Sequence, residues 1–145
     1  MHSSRMISST HSFGPLSLSL SFSPAGSLLS ISLPPSPPPS LSLNHLSEAL
    51  AFLHNQPIST PASPKYSAFL NALQNIPIGQ TRSYGQLAKQ LLTSPRAIGN
   101  WCARNQLLLR FPCHRVIAAN HLGGFRAGLP WKQILLHLES QFPLP

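Results

Sequence analysis

Between Leu16 and Ser23 leucine or phenylalanine alternates with serine, a two-residue period that lines up the apolar side chains on one face of a strand. Pro24-Ala25-Gly26 then reads as a turn and Leu28 to Leu33 as a partner strand, so a small hairpin is one reading of the segment. Disorder is the other. The chain up to Leu43 is low-complexity sequence rich in Ser, Pro and Leu, and it closes in Pro34-Pro35-Ser36-Pro37-Pro38-Pro39, a polyproline linker. An acid-free, Ser-rich leader also resembles an organelle transit peptide, but Arg5 is its one arginine. Residues 1–44 are therefore expected to be a largely disordered leader.

The period then changes to that of helices. Leu46, Ala49, Leu50 and Leu53 predict a short helix over 45–54, capped by Ser47 or Asn44. Three prolines over 56–64 read as a linker, which leaves 65–142 as the globular domain. There Tyr66, Phe69, Leu70 and Leu73 form one helical stripe, ended by Ile76-Pro77-Ile78-Gly79. Tyr84, Leu87, Ala88 and Leu91 predict a second helix over 83–91. Ser94 is the predicted cap of a third, over 96–104, with Pro95 in its first turn. Val116-Ile117-Ala118-Ala119 and Leu122-Gly123-Gly124-Phe125 predict a second hairpin. Pro130 opens a last helix with Trp131, Ile134, Leu135 and Leu138 on its apolar face. The class is mainly α with a small β-hairpin. Two short helices joined by a tight turn and preceded by a third describe a helix-turn-helix, or any small helical bundle.

Charge favours the first. The chain has ten Lys and Arg against two acids, and nine of the ten basic residues fall from Lys65 to Lys132, a span without an acid. A basic domain on a neutral leader points to a polyanion, most simply nucleic acid. No basic amphipathic helix supports a membrane surface, and no stretch reaches the length of a membrane span. Cys102 and Cys113 are too few for a disulfide framework and fit a reducing compartment, so the protein is not expected to be secreted. With His114 they match no zinc spacing; neither metal nor cofactor is expected.

The chemistry concentrates in Phe111-Pro112-Cys113-His114-Arg115-Val116. Adjacent cations lower a thiol's pKa, and a neighbouring imidazole can take its proton. A buried, inert cysteine is the plain alternative. Around this string stand Ile76-Pro77-x-Gly79, Ser83-Tyr84-Gly85-Gln86-Leu87-Ala88, Arg96-Ala97-Ile98-Gly99, Asn105, Gly123-Gly124-Phe125 and Lys132-x-x-Leu135-Leu136-x-x-Glu139. In this order, from Tyr66 to Ser140, the motifs resemble the C-terminal domain of the O6-alkylguanine-DNA alkyltransferases.

That resemblance implies a winged helix-turn-helix-like three-helix bundle with an active-site loop and a C-terminal helix. It also implies direct-reversal repair: Cys113 accepts, once, the alkyl group from O6 of guanine. His114 would deprotonate the thiol through a water, Glu139 would orient His114, and Asn105 would brace the turn before the cysteine. Arg96 would enter the base stack in place of the flipped nucleotide, since an alkylated oxygen inside a duplex is out of a thiol's reach. Tyr84 would lie beside the extruded base, and small Ala97 and Gly99 would allow a close approach to the minor groove. Arg82, Arg104 and Arg115 complete the expected DNA contacts, with Lys89, Arg110 and Arg126 as further phosphate partners. Val116, Phe125 and Arg126 would line the guanine pocket, chiefly through backbone.

Phe125 stands where the family commonly has a tyrosine, and Trp101 where it has small residues, so Trp101 either faces the core or narrows DNA access. The implied partner is double-stranded DNA, bound by a monomer in the bacterial cytoplasm or the nucleus. A lesion-binding protein without transfer and a helix-turn-helix regulator with a buried Cys113 are the alternatives.

Overall fold

The computed structural model describes residues 5–59, 61 and 63–140, which form five α-helices, a three-stranded sheet and a two-stranded one. They divide into two compact units.

The first unit takes the described residues up to 59 together with Gln106–Arg110. Its sheet has the order β1 (Ile7–Phe13), β2 (Leu16–Phe22), β3 (Leu28–Ser32), antiparallel throughout. The predicted disorder is corrected here, because the two-residue period outweighs the composition. Leu16, Leu18 and Leu20 are all buried while Ser17, Ser19 and Ser21 face outward. Each leucine so buried contributes about 1.5–3 kcal/mol, enough to order a serine-rich ribbon. Leu28, Ile31 and, on α1 (Leu43–His54), Leu46, Ala49 and Leu53 add to this core. The cap of α1 is Ser42, not Ser47 or Asn44: its hydroxyl accepts from His45 N, and the His45 ring returns the bond to Ser42 N.

The second unit takes residues 61–105 and 111–145, of which those up to 140 are described. It holds α2 (Pro64–Gln74), α3 (Tyr84–Gln90), α4 (Pro95–Arg104) and α5 (Leu129–Ser140). Ser63, Ser83 and Ser94 cap α2, α3 and α4 by accepting from the third helical amide, and Pro opens α2 and α4. Phe69, Leu73, Leu87, Ile98, Trp131 and Leu135 form the core. Trp101 faces it too, its ring 5.4 Å from that of Phe69.

The hairpin expected over 116–125 is not there. Instead β5 (Val116–Ile117) pairs in parallel with β4 (Arg82–Ser83), and no strand covers 122–125. Lys132 explains the difference, since its Nζ donates to the carbonyls of Val116 and Gly124, groups a hairpin ladder would have used. Gly123, at φ +75°, completes the loop.

Because Ser94 holds the first turn of α4 through a 3.1 Å bond to Ala97 N, Ser94→Ala is expected to lower the unfolding free energy by about 1 kcal/mol. Urea unfolding measures this, and an unchanged midpoint would show the cap to be idle.

Candidate active site

Cys113 opens a 3-10 turn over Cys113–Arg115, placed by Pro112 after the buried Phe111. Its side chain is 4 % exposed, and that margin faces a cavity of about 250 Å³. Tyr84, Gly99, Cys102, Ala103, Gly124, Phe125 and Arg126 line the cavity with it. Three of these come from α4, all of them small, and three from the loop before α5.

Asn105, the cap residue at the end of α4, spans the gap to the cysteine. Its Nδ2 donates to Phe111 O at 3.0 Å and to Cys113 Sγ at 3.3 Å. Gly123 acts through its lack of a side chain. A Cβ there would stand 2.6 Å from Tyr84 Oη, so only glycine lets the loop close over the tyrosine.

Behind the cysteine, Glu139 is 1 % exposed and accepts three bonds. Arg115 Nε donates to Oε1 at 2.9 Å, Arg115 Nη2 to Oε2 at 2.6 Å, and His114 Nε2 meets Oε1 at 2.9 Å. Burial alone would raise the Glu139 pKa, but bonding to Arg115 and His114 outweighs it and holds the carboxyl at about 2. An ionised carboxylate accepts only, so His114 Nε2 must carry the proton of that bond. Nδ1 is then the basic nitrogen, and it is buried with no hydrogen-bond partner. Burial lowers the His114 pKa against the pull of Glu139, which keeps the ring neutral and able to take a proton.

Burial also pushes the Cys113 thiol up, opposed by the Asn105 bond and by Lys132. This corrects the expectation of a lowered pKa: the resting group is a thiol, and its proton must be removed during reaction. Cys102 goes up to about 12 through burial and the neighbouring Cys113.

The other expected residues divide. Arg96 is exposed in the first turn of α4, Ala97 follows it, and Gly99 lines the cavity. Arg104 is exposed with its guanidinium 5.3 Å from the Tyr66 ring, and Arg82 bonds to Gln80 Oε1 and Thr81 O. Arg126 Nη1 donates to Ala103 O, tying the loop to the end of α4. Arg115 is the correction. Its place beside Glu139 and its Nη1 bond to Ile76 O hold the side chain inside the protein, away from any DNA surface. Val116 is fully buried, not among the cavity-lining residues, with its carbonyl bonded to Lys132.

Two residues at this site carry no role in the sequence reading, although Lys132 opens one of its motifs. Cys102 lines the cavity from α4. Lys132 is 0 % exposed and holds both Val116 O, at 2.6 Å, and Gly124 O, at 3.0 Å. A lysine next to Trp131 and three residues before Leu135, on the apolar stripe of a helix, was the available signal.

A family model described as "6-O-methylguanine DNA methyltransferase, DNA binding domain" matches residues 64–141. The chain belongs to that family. Among relatives of this methyltransferase family, the methylated-DNA–protein-cysteine methyltransferase of Methanopyrus kandleri is 42 % identical over 87 residues, covering 60 % of this chain and 66 % of its own. That of Methanocaldococcus vulcanius is 47 % identical over 71 residues, covering 49 % and 44 %. The chain thus spans about half to two thirds of the length of these curated relatives. A crystal structure of Mycobacterium tuberculosis OGT in complex with DNA is similar with a TM-score of 0.70 and 25 % identity over 92 % of each chain.

Among the described residues no group of three or more His, Cys, Asp or Glu is placed to hold a metal ion, and no helix is long and apolar enough to cross a membrane.

The depressed Glu139 pKa sets an acid limit. The folded value, about 2, lies below the ordinary 4.5, so the stabilisation is complete above pH 4.5 and is lost as pH falls toward 2. Roughly 3 kcal/mol is involved, at about 1.4 kcal/mol per pKa unit. Glu139→Gln should be less stable at neutral pH and lose that dependence; an unchanged acid limb in urea unfolding would contradict it. Lys132→Met removes a cation that favours the Cys113 thiolate, so the pH midpoint of Cys113 alkylation by iodoacetamide should rise, and an unchanged midpoint would contradict it. Peptide mass spectrometry locates the adduct and checks the midpoint.

Proposed function

We propose that the chain repairs alkylated DNA by transferring the alkyl group from O6 of guanine to Cys113, once per molecule. The observation that carries this reading is the thiol at the wall of the 250 Å³ cavity with a neutral, Glu139-anchored His114 behind it. His114 Nδ1 takes up the proton of Cys113. The thiolate attacks the alkyl carbon, the S–C bond forms as the C–O bond breaks, and the electron pair leaves with guanine, which gains a proton. Asn105 holds the sulfur through its amide, and Lys132 favours the charge that develops there.

The nucleotide reaches the cavity by rotating out of the duplex. α3, the turn and α4 act as a helix-turn-helix that lays Ala97 and Gly99 against the minor groove. Arg96 fills the vacated place in the stack, where a planar guanidinium offsets part of the lost stacking. Tyr84, Phe125 and Arg126 enclose the base, and Arg82 and Arg104 hold phosphates. The domain over 65–142 does this as a monomer, in the cytoplasm or nucleus, with duplex DNA as its partner.

Incubation with a duplex containing O6-methylguanine should add the mass of one methyl group to the intact protein, located on Cys113. Cys113→Ala should gain nothing yet still bind the duplex. Tight binding by the wild type without a mass gain would overturn transfer in favour of lesion recognition alone, and preference for one unmodified sequence would favour a regulator.

A further inference from the structure

Two non-glycine residues among those described have a left-handed backbone, Leu92 at φ +55° and Leu109 at φ +72°. This conformation crowds the Cβ of an L-residue against the carbonyl that follows it. Leu109 is 3 % exposed, so burial of its side chain offsets the strain. Leu92 is 94 % exposed, and nothing within the fold offsets it.

The backbone around Leu92 is that of a helix end built for glycine. Thr93 N donates to Ala88 O at 2.9 Å and Leu92 N to Lys89 O at 3.4 Å, the two bonds that close a helix through a left-handed residue. Glycine would make the same turn without strain. A single exposed leucine is ordinary on a protein surface. One kept in a strained position without burial points to a partner outside the chain.

The surroundings name the partner. Lys89, three residues before Leu92, and Arg96, four residues after, are both exposed. An apolar side chain between two cations matches the wedge with which minor-groove binders part a base step while flanking cations hold the phosphates. We propose that Leu92 is a DNA wedge on the turn between α3 and α4, pressed into the duplex beside the nucleotide that leaves the stack. This rests on the repair reading above and adds to it a residue that aids extrusion without touching the reacting atoms.

Leu92→Gly separates this role from a structural one, because the two predict opposite signs. Relief of backbone strain should raise Tm by about 2–4 °C. Methyl transfer from a duplex should nonetheless slow about tenfold, while transfer from a methylated single strand, which needs no unstacking, keeps its rate. Leu92→Asn, which tolerates the backbone but is polar, should lose the same duplex activity, and Leu92→Met should retain it. A duplex rate unchanged or faster in Leu92→Gly overturns the wedge, as does Leu92→Met slowed as much as the glycine variant. Wild-type protein whose Cys113 gains no methyl group from either substrate overturns the repair reading and the wedge with it; wild-type transfer unaffected by Leu92→Gly overturns the wedge alone.

Discussion

A carboxylate inside the protein, Glu139, is the constraint on which the site depends. It needs cations or donors on both oxygens, and Arg115 and His114 supply them from consecutive positions of one turn. The same guanidinium reaches Ile76 O at the end of α2. One charge therefore fixes the last turn of α5, the cysteine turn and the end of α2 together. Buried ion pairs seldom add stability over well-packed apolar side chains. What this one provides is direction: the His114 ring is held with its proton toward Glu139 and its lone pair on Nδ1.

The arrangement resolves a conflict between burial and reactivity. Enclosing Cys113 pushes its pKa up and keeps it a thiol at rest, protected from casual electrophiles. Enclosing His114 pushes its pKa down and keeps it a base. The same low-polarity surroundings thus prepare both partners of a proton transfer, one as donor and one as acceptor. Asn105 and Lys132 then oppose the burial at the sulfur alone.

Local patterns made much of this legible in the chain. Ser94-Pro95 and Ser83-Tyr84 start α4 and α3 because a serine cap satisfies a free amide wherever it stands. The alternating leucines were legible too, yet their Ser-Pro setting argued for disorder, and the outcome turned on whether that face would be buried. Tertiary choices were legible only where the family resemblance carried them, as for Glu139 beside His114 and Asn105 beside Cys113. A Cys-His-Arg string reads as two cations beside a thiol, but Arg115 turns inward to Glu139, twenty-four residues away. The glycine-rich loop reads as half of a hairpin, until the Lys132 ammonium takes the carbonyls a ladder would need. Pairings set by distant side chains leave no periodic trace.

With Glu139 indoors and Glu48 in the other unit, the described surface of the second unit presents no anionic side chain at neutral pH. Its exposed lysines and arginines have no oppositely charged neighbours within that unit's described residues, so counterions from solution balance them. Those ions are released when a phosphate backbone replaces them, whatever its sequence and whether it is damaged or sound. On the repair reading proposed above, such a surface turns the encounter with a rare altered base into a one-dimensional walk along the duplex instead of a search through the volume of the cell.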